Sequence, residues 1–204
     1  MNRTFFLWFS VAIIGYCLFP WYILEDGFFS FEWLFDGYPT DTDYAPAISL
    51  IWQGEKPWLA LILPCLLLPI IGPLLRLNRR ACGYLLLIAG GLGLLLLLGQ
   101  GFAIGIRGWS FGWLNESFGE LGDRQFGFGY GAMLTGLALL FYLTTGLATL
   151  GAVNGDRFVV GSVGLIVTMV TLFILFPVLN MLASAIQDNE GHYSLGIFLS
   201  LIHI

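Results

Sequence analysis

Long apolar runs at residues 4–23, 57–75, 82–104, 128–150 and 158–186 alternate with short polar segments along this chain. A bilayer hydrocarbon core of about 30 Å needs roughly 20 helical residues at about 1.5 Å each, so runs of this length read as membrane spans rather than core helices. The pattern predicts an all-α polytopic fold of about five spans. The last run is the longest, and it either tilts or lets its end from Asn180 onward emerge into the interface.

Special residues modify individual spans. Pro64, Pro69 and Pro73 interrupt a second run that is otherwise almost pure Leu and Ile. Each interior proline removes a backbone donor and clashes with the preceding turn, so this helix is expected to be kinked or broken. Broken helices line substrate sites in some transporters. No polar residue accompanies these prolines before Arg76, however, so a bent helix packed on its neighbours is the better reading. The 27 glycines cluster in or beside the later spans, as in Gly90, Gly91 and Gly93 or Gly101-x-x-x-Gly105. In lipid such residues let helix backbones approach closely. A phosphate-cradling loop is excluded because no Lys-Ser/Thr follows them.

The first long connection, residues 24–55, carries Phe28, Phe29, Phe31, Trp33, Phe35, Tyr38, Tyr44 and Trp52. These rings suit an aromatic belt at the headgroup layer, with a recognition surface as the alternative. Within it, residues 45–53 open at Pro46 and carry Ile48, Leu50, Ile51 and Trp52, a pattern for a short interfacial helix.

Composition agrees with the spans: 58% of residues are hydrophobic and 10% charged, and the mean hydropathy is +0.86, outside the soluble globular range. Charge then gives direction. Arg3, Arg76, Arg79, Arg80 and Arg157 fall on one side of the alternating topology with a single acid, Asp156; the other twelve of the 13 acidic residues fall on the opposite side with Lys56, Arg107 and Arg124. The positive-inside rule therefore puts the N-terminus in the cytoplasm and the end of the fifth span outside. The net charge of −5 reflects loop solvation, and no basic stripe exists for nucleic acid. The N-terminal run is too long for a signal peptide, and Leu24-Glu-Asp-Gly27 offers no cleavage site, which favours an uncleaved signal anchor.

Candidate chemistry is sparse. Span interiors hold Gln100, Asn180 and scattered threonines but no ionisable residue, which argues against an ion-driven pump. Cys17, Cys65 and Cys82 lack CxxC spacing and read as packing residues, not a disulfide or zinc framework. Asp188, Glu190 and His192 form a trio that a cation would suit, but a solvated loop is the better explanation and no metal is expected. Asn115-Glu-Ser117 matches a glycosylation sequon with little meaning in a bacterial-type membrane protein. No catalytic residue and no cofactor are expected.

From Arg157 the chain runs Phe158-Val-Val-Gly-Ser-Val-Gly-Leu-Ile-Val, then Phe176-Pro177-Val178-Leu179, then Ser184 and the turn Asp188-Asn-Glu-Gly191. This stretch resembles the opening of permease subunits of ATP-binding-cassette importers, particularly the iron(III) type. The resemblance covers about 40 residues. It implies a first core helix that leaves the cytoplasm and carries Phe176 and Pro177 near its outer end, followed by Ser184 and a polar turn at Asp188 and Gly191. The region around Pro20-Trp21-Tyr22 and Leu24-Glu-Asp-Gly27 resembles the N-terminal extension that long members carry. It further implies an inner-membrane importer whose ATP hydrolysis resides on a separate ATPase subunit and whose substrate arrives on a periplasmic binding protein.

The family's cytoplasmic coupling loop has no counterpart in this sequence. On that reading residues 1–150 form a four-span extension and 151–198 the first core helix with its periplasmic turn. Residues 199–204, Leu-Ser-Leu-Ile-His-Ile, resemble a translated adapter, and the chain is expected to be a fragment. Its partners would be the lipid bilayer and the remaining permease core helices. The rival expectation is a small multi-span accessory or structural protein whose glycine-rich helices bind partner helices. The fifth span is expected to pack less closely than the other four if it begins a transport core.

Overall fold

The computed structural model describes residues 3–22, 29–35, 37–105, 108–121, 127–184 and 186–187. It is mostly helical, in the order α1 (Arg3–Leu18), α2 (Ala47–Trp52), α3 (Pro57–Leu74), α4 (Arg79–Ala103), α5 (Gly112–Phe118), α6 (Tyr130–Thr149) and α7 (Arg157–Ser184). Among the described residues α3, α4, α6 and α7 are long and apolar enough to cross a membrane, which makes this a membrane protein. Helix α1 is equally apolar but shorter: its 16 residues reach about 24 Å, after which the chain becomes extended through Pro20 and Tyr22.

Contacts divide the chain into two compact units. The first comprises Met1–Leu97 and Phe126–Leu165, the second Leu98–Gln125 and Ile166–Ile204.

The first unit is organised around α6. On one side Gly15 of α1 and Gly131 of α6 meet: a Cβ at Gly131 would lie 2.5 Å from the Phe19 carbonyl, and one at Gly15 2.8 Å from Leu134 Cβ. On another, a Cβ at Gly146 would lie 2.7 Å from the Leu87 nitrogen of α4, and one at Gly90 would collide with the Leu143 backbone. Small residues thus bring backbones into direct contact, as the glycine pattern suggested. Helix α6 is accordingly the most enclosed, with 56% of its span window buried. Gly161 and Gly164 at the start of α7 abut Phe141 and Thr144 of the same helix.

Helix α3 breaks at its prolines. It runs as 3-10 turns over Pro57–Leu61, α over Ile62–Leu67, 3-10 over Leu68–Ile70 and α over Ile71–Leu74. Pro64, Pro69 and Pro73 each withhold an N–H, and the local winding changes to accommodate them. Tyr16 donates from its hydroxyl to the Leu59 carbonyl at 3.0 Å, satisfying a buried acceptor within this irregular segment.

The α1 terminus is stitched in by strand-like pairing. Trp21 N–H donates to Ala45 (3.1 Å), while Gly129 and Gly131 N–H donate to the Trp21 and Pro20 carbonyls, both at 2.8 Å. The aromatic loop divides between two roles. Phe29, Phe35 and Trp52 are exposed, as a belt requires, but Trp33 is buried against Phe19, Tyr38 and Tyr130. The Tyr38 hydroxyl donates to the Leu18 carbonyl at the end of α1, and burial raises its phenol above the ordinary value, which keeps the donor protonated. The peptide bond Tyr38–Pro39 is cis. Helix α2 forms where the interfacial helix was expected, entering from extended Pro46.

In the second unit the end of α4 leads into a hairpin of β1 (Ile104–Gly105) and β2 (Gly108–Trp109), paired Ile104 with Trp109. Trp109 Nε1 donates to the Gly119 carbonyl at 2.9 Å and its ring lies beside Phe118, closing α5 onto the hairpin. Gly101 underlies the Phe176 ring, which meets Phe102 edge-on at 5.1 Å. Gly101 therefore serves close packing, whereas its partner in the spacing, Gly105, lies in the hairpin and has no helix against it.

Candidate functional site

Of the residues that carry the permease resemblance, Phe176, Pro177 and Ser184 fall on α7; Asp188 and Gly191, like Glu190 and His192, lie outside the described residues. Immediately before Phe176-Pro177 the helix widens into a π turn at Thr171–Leu175, with Phe176 N–H donating to the Thr171 carbonyl five residues back. Pro177 supplies the cause. It has no N–H for the Phe173 carbonyl and its ring presses on that turn, and adding a residue to the turn relieves both. Ser184 donates its hydroxyl to the Asn180 carbonyl at 2.9 Å, so its polar capacity is directed back into its own helix.

The surface of α7 is the least enclosed of the spans. Only 11% of its window is buried, and Ile166, Val167, Phe173 and Met181 present 64%, 57%, 76% and 75% of their surface. The expectation of a loosely packed fifth span fits this stretch. It does not fit Gly161, which is buried, nor Gly164, which abuts Thr144.

A second feature lies in the first unit. A cavity of about 700 Å³ opens among the first turn of α1, the last turns of α3 and α6, and the first turns of α4 and α7. Arg76, Arg79 and Arg157 line it, together with the threonines Thr4, Thr145 and Thr149 and the apolar side chains of Phe5, Pro69, Pro73, Leu77 and Leu86. No carboxylate is among the described residues that line it. Three of the five arginines expected to set topology are thus brought to one place; Arg76 and Arg79 are exposed, as is Arg80, but Arg80 does not line the cavity.

Local sequence explains how they converge. The turn between α3 and α4 closes through Leu77 N–H on the Gly72 carbonyl (2.9 Å), with Arg76 in the left-handed region at φ 50°. Gly72 sits so close to Cys82 that a Cβ there would fall 2.9 Å from its sulfur. Asn78 then starts α4 by accepting the Ala81 N–H on its side-chain oxygen at 2.8 Å. Asp156 does the same for α7, accepting from Phe158 and Val159 at 2.9 and 3.1 Å. Both helices therefore direct their N-terminal ends, and the partial positive charge of those ends, toward the arginine-lined end of the unit.

Charge counting along the sequence found these arginines but assigned them to topology alone. Their meeting depends on contacts between α1, α3, α4, α6 and α7 that no local pattern encodes. Among the described residues no group of three His, Cys, Asp or Glu side chains is placed to hold a metal ion. Cys65 is buried and Cys17 and Cys82 half-buried, all three as free thiols. Compared with protein-family models, curated proteins and solved structures, the chain matches none.

Proposed function

We propose that this chain is a membrane component of a binding-protein-dependent importer of the ATP-binding-cassette type, with α7 serving as the first helix of the transport core. In this reading α1 crosses the bilayer with help from the extended segment that follows it. The chain then spans five times with a cytoplasmic N-terminus in a bacterial inner membrane. It performs no hydrolysis itself; ATP is cleaved on a separate subunit and the substrate, iron(III) if the resemblance extends so far, comes from a periplasmic binding protein.

One observation carries the proposal: the apolar, largely open surface of α7 from Ile166 to Met181. Lipid alone satisfies such a surface, but the π turn before Phe176-Pro177 gives it a distortion of the kind often found at functional sites. Core helices docking there would use both. A second reading, an accessory protein that binds partner helices, draws on Gly161 and Gly164, which tie the start of α7 to the same unit as the other helices.

Photocrosslinking distinguishes them. A photoreactive residue at Val167 or Phe173, activated in native membranes, should give adducts to permease helices in an assembly that also contains an ATPase. Adducts to lipid alone would sink the importer reading, and adducts to an unrelated membrane protein would replace it with the accessory one.

A further inference from the structure

We propose that the π turn of α7 is one position of a two-position device, latched by the Phe176 ring on Gly101 of α4. The device lies within the second unit and is independent of the importer reading. Phe176 holds two roles at once. Its N–H closes the wide turn on the Thr171 carbonyl, and its ring lies over Gly101 and meets Phe102 edge-on at 5.1 Å. Gly101 is the seat: a Cβ there would fall 2.7 Å from Cζ of the ring and 2.9 Å from Cε2. Any side chain at this position would need the space that the ring occupies.

Pro177 opens a choice of winding without making it. It has no N–H for the Phe173 carbonyl and its ring crowds the preceding turn, a demand that a π turn and a kinked α form both meet. Packing around the turn itself does not decide, because Leu172, Phe173, Ile174 and Leu175 are all exposed. The seated ring does. In the α form the Phe176 N–H would donate four residues back, to Leu172, and everything beyond the turn would rotate by about 100° around the helix axis. That rotation lifts the ring off Gly101. Winding and seating are therefore one event, and residues 177–184 have two rotational positions.

Each position presents a different face. Asn180 and Met181 are exposed with the ring seated, and the rotation carries both to a new side of the helix. A helix that packs on one face and not the other selects the position it fits, so a local change of winding becomes a change in what α7 offers to a neighbour. Single π turns inside α-helices are frequent at functional sites.

The test is a nitroxide scan of residues 166–184 in the full chain in detergent, read as the phase of the accessibility period on the two sides of Thr171–Leu175. Gly101→Leu fills the seat and Phe176→Ala removes the latch. Each should restore a continuous period, a shift of about 100° beyond residue 175 relative to the wild type. Gly99→Leu, on the same helix with nothing within 4 Å of its Cβ, should leave the wild-type break in place. Phe176→Ala adds no volume, so it reads the latch even where Gly101→Leu fails to fold. With a label at residue 181, Gly101→Ala should show the two environments side by side as separate components. A break that persists in Phe176→Ala or in folded Gly101→Leu, or that is lost equally in Gly99→Leu, would overturn the proposal. So would a single intermediate environment in Gly101→Ala, which would make the seating of Phe176 a passive consequence of the π turn.

Discussion

Two buried tyrosines in the first unit show how the surroundings of a single hydroxyl decide its worth. Tyr16 donates to the Leu59 carbonyl, whereas the Tyr142 hydroxyl, equally enclosed and stacked near Phe5, has no hydrogen-bond partner among the described residues. A buried hydrogen bond contributes about 1 kcal/mol net, and an unsatisfied buried hydroxyl costs about 1–3 kcal/mol. Tyr16→Phe should therefore lower the thermal unfolding midpoint in detergent, while Tyr142→Phe should leave it unchanged or raise it. Glycines divide in the same way. Gly146→Ala places a methyl against the Leu87 backbone and should cost about 1–3 kcal/mol. Gly99→Ala, with nothing within 4 Å of the new Cβ, should stay within about 0.5 kcal/mol in the same assay. The sequence showed that glycines cluster but not which ones face backbone, since that depends on how α1 and α4 register against α6.

At the scale of an element, prolines were the most legible signal. Pro64, Pro69 and Pro73 announce an irregular helix, and α3 changes its winding along their length. The π turn of α7 was less visible, because a single Pro177 in a long apolar run is compatible with a simple kink as well as with an inserted residue. Replacing it tests the cause. With an N–H restored, Pro177→Ala should let Thr171–Leu175 relax to α geometry, turning one end of the helix by about 100° relative to the other. Nitroxide labels placed singly along residues 166–184 would report this directly: the wild type should show a break in the accessibility period near Thr171–Leu175, and the variant a continuous one. A break that survives in the variant would assign the π turn to packing instead. Tertiary stitching was invisible in the same sense. Nothing local in Pro20-Trp21-Tyr22 specifies pairing with Ala45 and Gly129, and Trp33 looks like any other belt aromatic until Phe19 and Tyr130 enclose it.

For the whole molecule, hydropathy predicted the four helices that are long enough to span, α3, α4, α6 and α7, because burial in hydrocarbon constrains every residue of a span at once. The helix ends shift by a few residues from the apolar runs, most at α1, where Pro20 ends helical winding early. The proposed orientation draws on charge, and the first unit adds a geometric reason to expect it. Thr4, Arg76, Arg79, Thr149 and Arg157 belong to one end of the unit, so they share one side of any bilayer it crosses. A cytoplasm-active reporter fused after Arg79 should give signal, and one fused after Asp41 should not. The reverse pattern would invert every loop assignment.

The backbone contacts of α6 also impose an order of assembly. Ribosomes deliver α1, α3 and α4 to the membrane before α6, so the earlier helices must wait with Gly15, Gly83 and Gly90 facing an unfilled groove. Lipid tails pack poorly into a channel shaped for a polypeptide backbone, and the late arrival of α6 converts a loose set of segments into a locked one. The emergence of α6 is therefore the step expected to lock α1 and α4 in place, before the start of α7 packs onto it.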